Sequence, residues 1–320
     1  MLIKRLALVF CFGIGALPAQ DLELRGRLDP PSGNAVVVLW GATTPYNART
    51  TADGKGRFRF RRLAPGSYTV SILQPDRSEL RRTVNLSKRV TEIVIPIEDP
   101  ADEALRAAER RSQVSVRELG IPGKARAAFH SAQRRLGRHD VEGAIADLRR
   151  ALDIAPAFLE ARNNLGTILY QQRRYEDAER CFREALAYEP GAYAPTVNLG
   201  GVLLNLKRPA EALAFNQHAV TRQPSDALAQ SQLGITLVEL GRFDEAERHL
   251  LEAVRLDPGH FSHPQIVLAT VYARRGKLHA AAAQIENFLK HHPEAPNAPS
   301  LRQQADSFRR AAAGLPPPDR

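Results

Sequence analysis

Proline stands at Pro156, Pro190, Pro224 and Pro258, always 34 residues from the last, and three further columns keep the same step. They are Ala144, Ala178, Ala212 and Ala246; Ala151, Ala185, Ala219 and Ala253; and Gly166, Gly200 and Gly234, with Ala132 in the corresponding place one repeat earlier. Four columns in one register define a repeating unit, and a unit of this length is one helix–turn–helix pair. The small residues let the paired helices approach closely where they cross. Larger ones such as Leu165, Leu199, Leu233 and Phe182 fill the gaps between them. The proline ends the second helix and starts the turn into the next unit. One such unit cannot bury its own apolar stripe, so neighbours must stack to make a core.

A fifth copy follows with one residue inserted: Ala269, Tyr272, Ala281 and Pro293 recover the pattern after His260-Phe261-Ser262-His263. The first copy is degenerate, with Ser131 and Arg135 where apolar residues are usual. Five repeats are therefore expected over residues 124–295, and a capping helix over Ser300–Ala313 with a disordered tail around Pro316-Pro317-Pro318 over 296–320.

Period and residue types resemble the tetratricopeptide repeat family. The resemblance implies an all-α solenoid whose first helices line a concave face where partners lie, with position six of each repeat pointing into it. Here that position holds His130, Asn164, Asn198, Gln232 and Val267. A carboxamide both donates and accepts, so a row of them would grip a peptide backbone with little regard to sequence. The row is similar to the asparagine ladder in the repeats of O-linked N-acetylglucosamine transferase. Asn163, Thr167, Tyr170, Gln171 and Asn205 are expected on the same face. The competing reading is that the asparagines bond to a neighbouring helix. A clamp for a terminal carboxylate would need groove cations, and only Arg126 and Arg274 are candidates.

Residues 21–98 follow a different rule. Short β-type runs at Leu22–Leu28, Ala35–Trp40, Arg57–Phe60, Ser67–Leu73, Leu80–Leu86 and Thr91–Ile97 are separated by turn signals. In Arg57-Phe58-Arg59-Phe60-Arg61 charged and apolar residues alternate, as they must on a sheet with one wet face. Asp53-Gly54 and Pro65-Gly66 are expected to make the tight turns. An all-β sandwich of about seven strands satisfies the pattern. The stretch Thr51-Ala52-Asp53-Gly54-Lys55-Gly56-Arg57-Phe58-Arg59-Phe60, followed by Leu63-Ala64-Pro65-Gly66-Ser67-Tyr68-Thr69-Val70, resembles the carboxypeptidase regulatory-like domain. That resemblance implies a transthyretin-like accessory module without catalytic residues. The whole is thus a multidomain chain, an N-terminal all-β sandwich followed by an all-α tetratricopeptide solenoid.

Residues 1–20 read as a signal peptide: Lys4 and Arg5, an apolar run from Leu6 to Leu17, then Pro18-Ala19-Gln20. The run is short of the ~20 residues that span a bilayer. A bacterial periplasmic or extracellular location is expected, with the protein soluble once the signal is removed. Residues 99–123 read as a connector, partly helical, broken by Ile121-Pro122-Gly123. Of the two cysteines, Cys11 falls in the signal and Cys181 on a helix, so a buried thiol is expected there and no internal disulfide.

The net charge of +10 comes mainly from arginines spread through both halves with no separate basic block, which argues against a nucleic-acid partner and reads as a solvated basic surface, with attraction to acidic partners or the cell envelope as the alternative. There is no phosphate loop, His-Glu-x-x-His, Gly-x-Ser-x-Gly or Cys-x-x-Cys, and the nine histidines are expected on the surface and not as metal ligands. Catalytic residues, metal and cofactor are therefore all expected to be none. The expected role is a non-enzymatic exported adaptor that binds a protein or extended peptide. The alternative is glycan or envelope recognition through the sandwich, for which Trp40 and Tyr46 are the candidate aromatics.

Overall fold

The computed structural model describes residues 22–73, 80–97 and 120–315; the segment read as a signal peptide, most of the expected connector and the proline tail lie outside them. The chain divides into two compact units, one ending at Val202 and the other running from Leu203 to the C-terminus.

The first unit opens with seven strands: β1 (Leu22–Asp29), β2 (Val36–Gly41), β3 (Asn47–Thr51), β4 (Arg57–Leu63), β5 (Gly66–Leu73), β6 (Leu80–Leu86) and β7 (Val90–Pro96). They form two sheets, β4-β1-β7 and β3-β2-β5-β6, with only the β1–β7 pair parallel. The sheets enclose one core built from Leu24, Leu28, Val37, Leu39, Phe58, Phe60, Leu63, Tyr68, Val70 and Ile72. Alternation along β4 sets Phe58 and Phe60 inward and Arg57 and Arg59 outward. The Phe58 ring lies across Gly26 so closely that a Cβ there would fall 2.0 Å from it, which only glycine allows.

Two details differ from the sequence reading. β3 was not expected, because Asn47-Ala48-Arg49-Thr50-Thr51 carries no apolar alternation; its place is fixed by pairing with β2. The left-handed residue of the β3–β4 turn is Gly56 (φ 71°), not Gly54. Asp53 closes that turn: Oδ1 accepts from the Lys55 and Arg57 amides at 2.9 Å each, and Oδ2 accepts from Arg57 Nε at 2.9 Å.

Helices α1 (Gly123–Leu136), α2 (Val141–Ile154), α3 (Leu159–Gln171), α4 (Tyr175–Tyr188) and α5 (Tyr193–Asn205) follow, the last running through the division between units. The second unit continues with α6 (Pro209–Arg222), α7 (Ala227–Glu239), α8 (Phe243–Leu256), α9 (Pro264–Arg274), α10 (Leu278–His291) and α11 (Ala298–Ala312), the last beginning two residues before the expected cap.

Each sequence column has a visible job. All eight alanines of the two alanine columns are 0% exposed. A Cβ on Gly166 would meet the Phe182 ring at 2.7 Å, and one on Gly234 would meet Leu250 Cγ at 2.6 Å, so these glycines set how near paired helices lie. A further column appears in the backbone: His139, Arg173, Lys207, Gly241 and Gly276 all take left-handed φ between the two helices of their repeats. The following amide then reaches back five residues, as Arg174 to Leu169 and Arg208 to Leu203, and satisfies the carbonyls at the helix end. Arg174, Arg208 and Arg242, just ahead of α4, α6 and α8, pair with Asp177, Glu211 and Glu245 three residues on.

The degenerate first repeat compensates for its polar residues. Asp147 on α2 is 5% exposed and receives Arg135 Nε at 2.9 Å and Arg150 Nη2 at 2.7 Å. Burial alone would raise the Asp147 carboxyl, but the bond from Ser131 and the guanidiniums of Arg135 and Arg150 outweigh it and hold the group below the usual carboxylate range. Ser131 and Arg135 are polar because they serve a buried carboxylate.

Candidate functional site

Within the first unit, α3 and α5 bring Asn163 and Asn198 together across neighbouring helices, which is the bond that the competing reading expects of the asparagines. Asn198 Nδ2 donates to Asn163 Oδ1 at 2.9 Å and lies 3.4 Å from Thr167 Oγ1, while Thr167 Oγ1 donates to the Asn163 carbonyl at 3.0 Å. All three side chains are half-buried, as are Asn164 and Tyr170. The bond uses the donor of one amide and the acceptor of the other, leaving the Asn198 carbonyl and the Asn163 amide hydrogens for a further partner.

Gln171 stands apart from that group. Its Nε2 donates to the Gly41 carbonyl at 2.8 Å, so this half-buried side chain holds the sandwich. The same joint includes His139, whose Nε2 lies 3.2 Å from the Arg62 carbonyl and whose ring centroid is 5.2 Å from that of Tyr46. Gly137 packs on the Asn47 carbonyl, where a Cβ would fall at 3.1 Å. Tyr46 is 6% exposed and packs edge-on against Tyr68, which corrects its expected availability to a glycan; Trp40 is half-buried. Burial pushes the Tyr46 hydroxyl up to about 12.

The remaining groove candidates belong to the second unit. Asn205 is exposed at the end of α5. Gln232 on α7 is 9% exposed, and its Oε1 has no hydrogen-bond partner among the described residues. At the other position-six sites, His130 is exposed beside Gln133 and Val267 is buried. Arg126 and Arg274 are both exposed.

The histidines also need correction. His260 and His292 are 5% and 7% exposed, not surface residues, and with His263 they gather where α8, α9 and α10 meet. Among the described residues no group of three or more His, Cys, Asp or Glu side chains is arranged to hold a metal ion. Cys181 is buried, and burial pushes its thiol up to about 11, far from a reactive thiolate. Among the described residues no helix is long and apolar enough to cross a membrane.

Comparison with known families agrees with this geometry. Residues 135–183, 163–227 and 227–260 each match a model of the Tetratricopeptide repeat family, so the stretch 135–260 consists of such repeats. Repeats of this family are scaffolds for protein–protein interaction, and that is the class the helical part defines.

No curated protein matches the chain. Solved structures do. PilW, a widely conserved type IV pilus biogenesis factor, is 21% identical with a TM-score of 0.51, over 60% of this chain and 94% of that one. PilF of Pseudomonas aeruginosa is 22% identical with a TM-score of 0.51, over 61% and 90%. YrrB, described as a tetratricopeptide protein with an unusual peptide-binding site, is 23% identical with a TM-score of 0.48, over 60% and 95%. At such identities the likeness to PilW and PilF shows the fold alone: a tetratricopeptide helix array, here preceded by a two-sheet β region.

Proposed function

We propose that the protein is a non-enzymatic adaptor that holds an extended peptide against the face formed by α3 and α5. The observation that carries this reading is the Asn198–Asn163 bond. It fixes two half-buried amides on consecutive first helices of the repeats and leaves the Asn198 oxygen and the Asn163 amino group available to a further partner. An extended backbone offers the complementary donor and acceptor at each residue. Asn164 and Thr167 extend the same polar surface within the first unit. The positive amino-terminal segment and its apolar run support export, and the Asp53 turn with the alternation of β4 supports a carboxypeptidase regulatory-like accessory module.

The test is peptide-array binding by the full chain beside the triple variant Asn163→Ala, Asn164→Ala, Asn198→Ala, with folding checked by circular dichroism. Loss of binding by at least about tenfold is expected, since each peptide bond to an amide contributes about 0.5–1.5 kcal/mol. A folded triple variant that binds the same peptides equally well would refute the site.

A further inference from the structure

The junction of α8, α9 and α10 holds three imidazoles in one apolar setting. The His263 ring centroid lies 4.9 Å from both Phe288 and His292, His292 stacks on Phe288 at 4.5 Å, and His260 packs on Phe261 at 4.4 Å. His263 itself takes left-handed φ, 51°, at the start of α9. This is the point where the repeat period gains its extra residue.

Hydrogen bonding fixes the charge state of His260. Its Nδ1 accepts from the Ser262 amide at 3.2 Å and lies 2.6 Å from Ser262 Oγ, which in turn lies 2.6 Å from Ser231 Oγ on α7. A nitrogen that accepts a backbone N–H carries no proton of its own, so His260 is neutral with its hydrogen on Nε2. A proton on Nδ1 would face the Ser262 N–H and break the link from Ser231 through Ser262 to the turn. His263 and His292, ring against ring, would gain like charges side by side.

We propose that this junction is an acid-sensitive hinge: protonation of His260, His263 and His292 releases α9, α10 and α11 from α7 and α8 while the rest of the fold holds. The charged or titratable groups that face the cluster are Asp226 ahead of α7, Asp257 at the end of α8, and His291 on α10. The two aspartates favour the protonated form, Asp257 and Asp226 at His260 and Asp257 at His292, but burial outweighs them at both. Burial, with His292 and His260 adding repulsion, depresses His263 to about 3, and burial first and His291 next depress His292 to about 4. Burial lowers His260 as well.

The sign follows. The unfolded chain binds these protons below a pH of about 6.5 and the folded junction does not. Its stability is therefore full above that value and is lost as pH falls towards the folded values. His263 and His292 each weaken the folding constant by about 25-fold between pH 7 and pH 5.

The deciding experiment is hydrogen exchange by mass spectrometry on the full chain at pH 7 and pH 5, corrected for intrinsic rates. Amides of α9, α10 and α11 are expected to exchange at least about tenfold faster at the lower pH, with α1 to α4 and the strands little changed. The double variant His263→Asn, His292→Gln, in which asparagine tolerates the left-handed backbone, should lose most of that acceleration. Imidazole C2 exchange in the unaltered protein gives a second reading that needs no variant, and titration midpoints below about 5 are expected for His263 and His292. Midpoints near 6.5, or acceleration spread evenly over the chain, would overturn the proposal.

Discussion

The Gln171 side-chain amide donates to the Gly41 carbonyl oxygen at 2.8 Å, across 130 positions of sequence. One residue at the end of α3 thus ties the second repeat to the last residue of β2. His139, on the turn of the first repeat, ties the end of β4 at Arg62. The sandwich is seated on the turns that join paired helices, beside the helix that carries Asn163 and Thr167.

Removing that seat should free the sandwich without unfolding it. The double variant Gln171→Ala, His139→Ala loses two hydrogen bonds to carbonyls and a ring contact, about 1–2 kcal/mol in all. Amides around Gly41 and Asn47 should then exchange several-fold faster while those of β1 and β5 keep their rates. Unchanged exchange at Gly41 would show that other contacts carry the joint.

The Asp147 network makes a different prediction. Asp147→Ala leaves Ser131 and Arg135 without their carboxylate and should cost about 1–3 kcal/mol in chemical denaturation. Asp147 is held below its ordinary value, as is Asp140 by its bond from Arg135. The stability they add is present above a pH of about 4, the unfolded value, and is lost as pH falls through the folded values. Acid loss removed by Asp147→Ala must therefore lie below that of the histidine junction, and the two windows separate them. The triple change Ser131→Ala, Arg135→Leu, Asp147→Leu should recover much of the lost stability, because an apolar set of similar volume replaces a charged one.

Lys207 is the third test. It holds a left-handed φ of 59° at a site where the next two repeats have Gly241 and Gly276. A side chain there costs about 1–2 kcal/mol, partly offset by the extra freedom glycine has when unfolded. Lys207→Gly should raise stability by about 0.5–1 kcal/mol, and a loss instead would mean that the lysine makes a compensating contact.

Most of the helical architecture was legible because close packing leaves a signature in residue size: where helices cross, only alanine or glycine fits, and the constraint returns every repeat. The strands were legible where one face is wet, as in β4, and illegible at β3, where pairing alone decides. The joint between sandwich and repeats was not readable. Its acceptors are the carbonyls of Gly41 and Arg62, which leave no trace in residue type, and its donors, Gln171 and His139, look like any polar surface residue. The buried histidines were missed for a related reason. A histidine in a turn signals exposure by default, and only three-dimensional proximity shows that three of them share one apolar setting.

The glycine column gives the sharpest test of the packing argument. In the fourth repeat Gly234 faces Leu250, sixteen positions on, and a Cβ would sit 2.6 Å from Leu250 Cγ and 3.3 Å from the Leu250 amide nitrogen. In the first repeat the same two columns hold Ala132 and Leu148, both buried, so an alanine against a leucine is accepted there. The spacing of α7 and α8 is thus set by glycine, and that of α1 and α2 by alanine. Gly234→Ala should therefore destabilise by about 1–3 kcal/mol despite its better helix propensity, because a packed helix pair must part or Leu250 must leave its rotamer. Adding Leu250→Ala should recover part of the loss, although that change alone costs about 2–5 kcal/mol. A positive coupling between the two, read from a double-mutant cycle in urea, is the expected outcome. Strict additivity would mean that the repeats tolerate either spacing and that the glycine column reflects something other than helix approach.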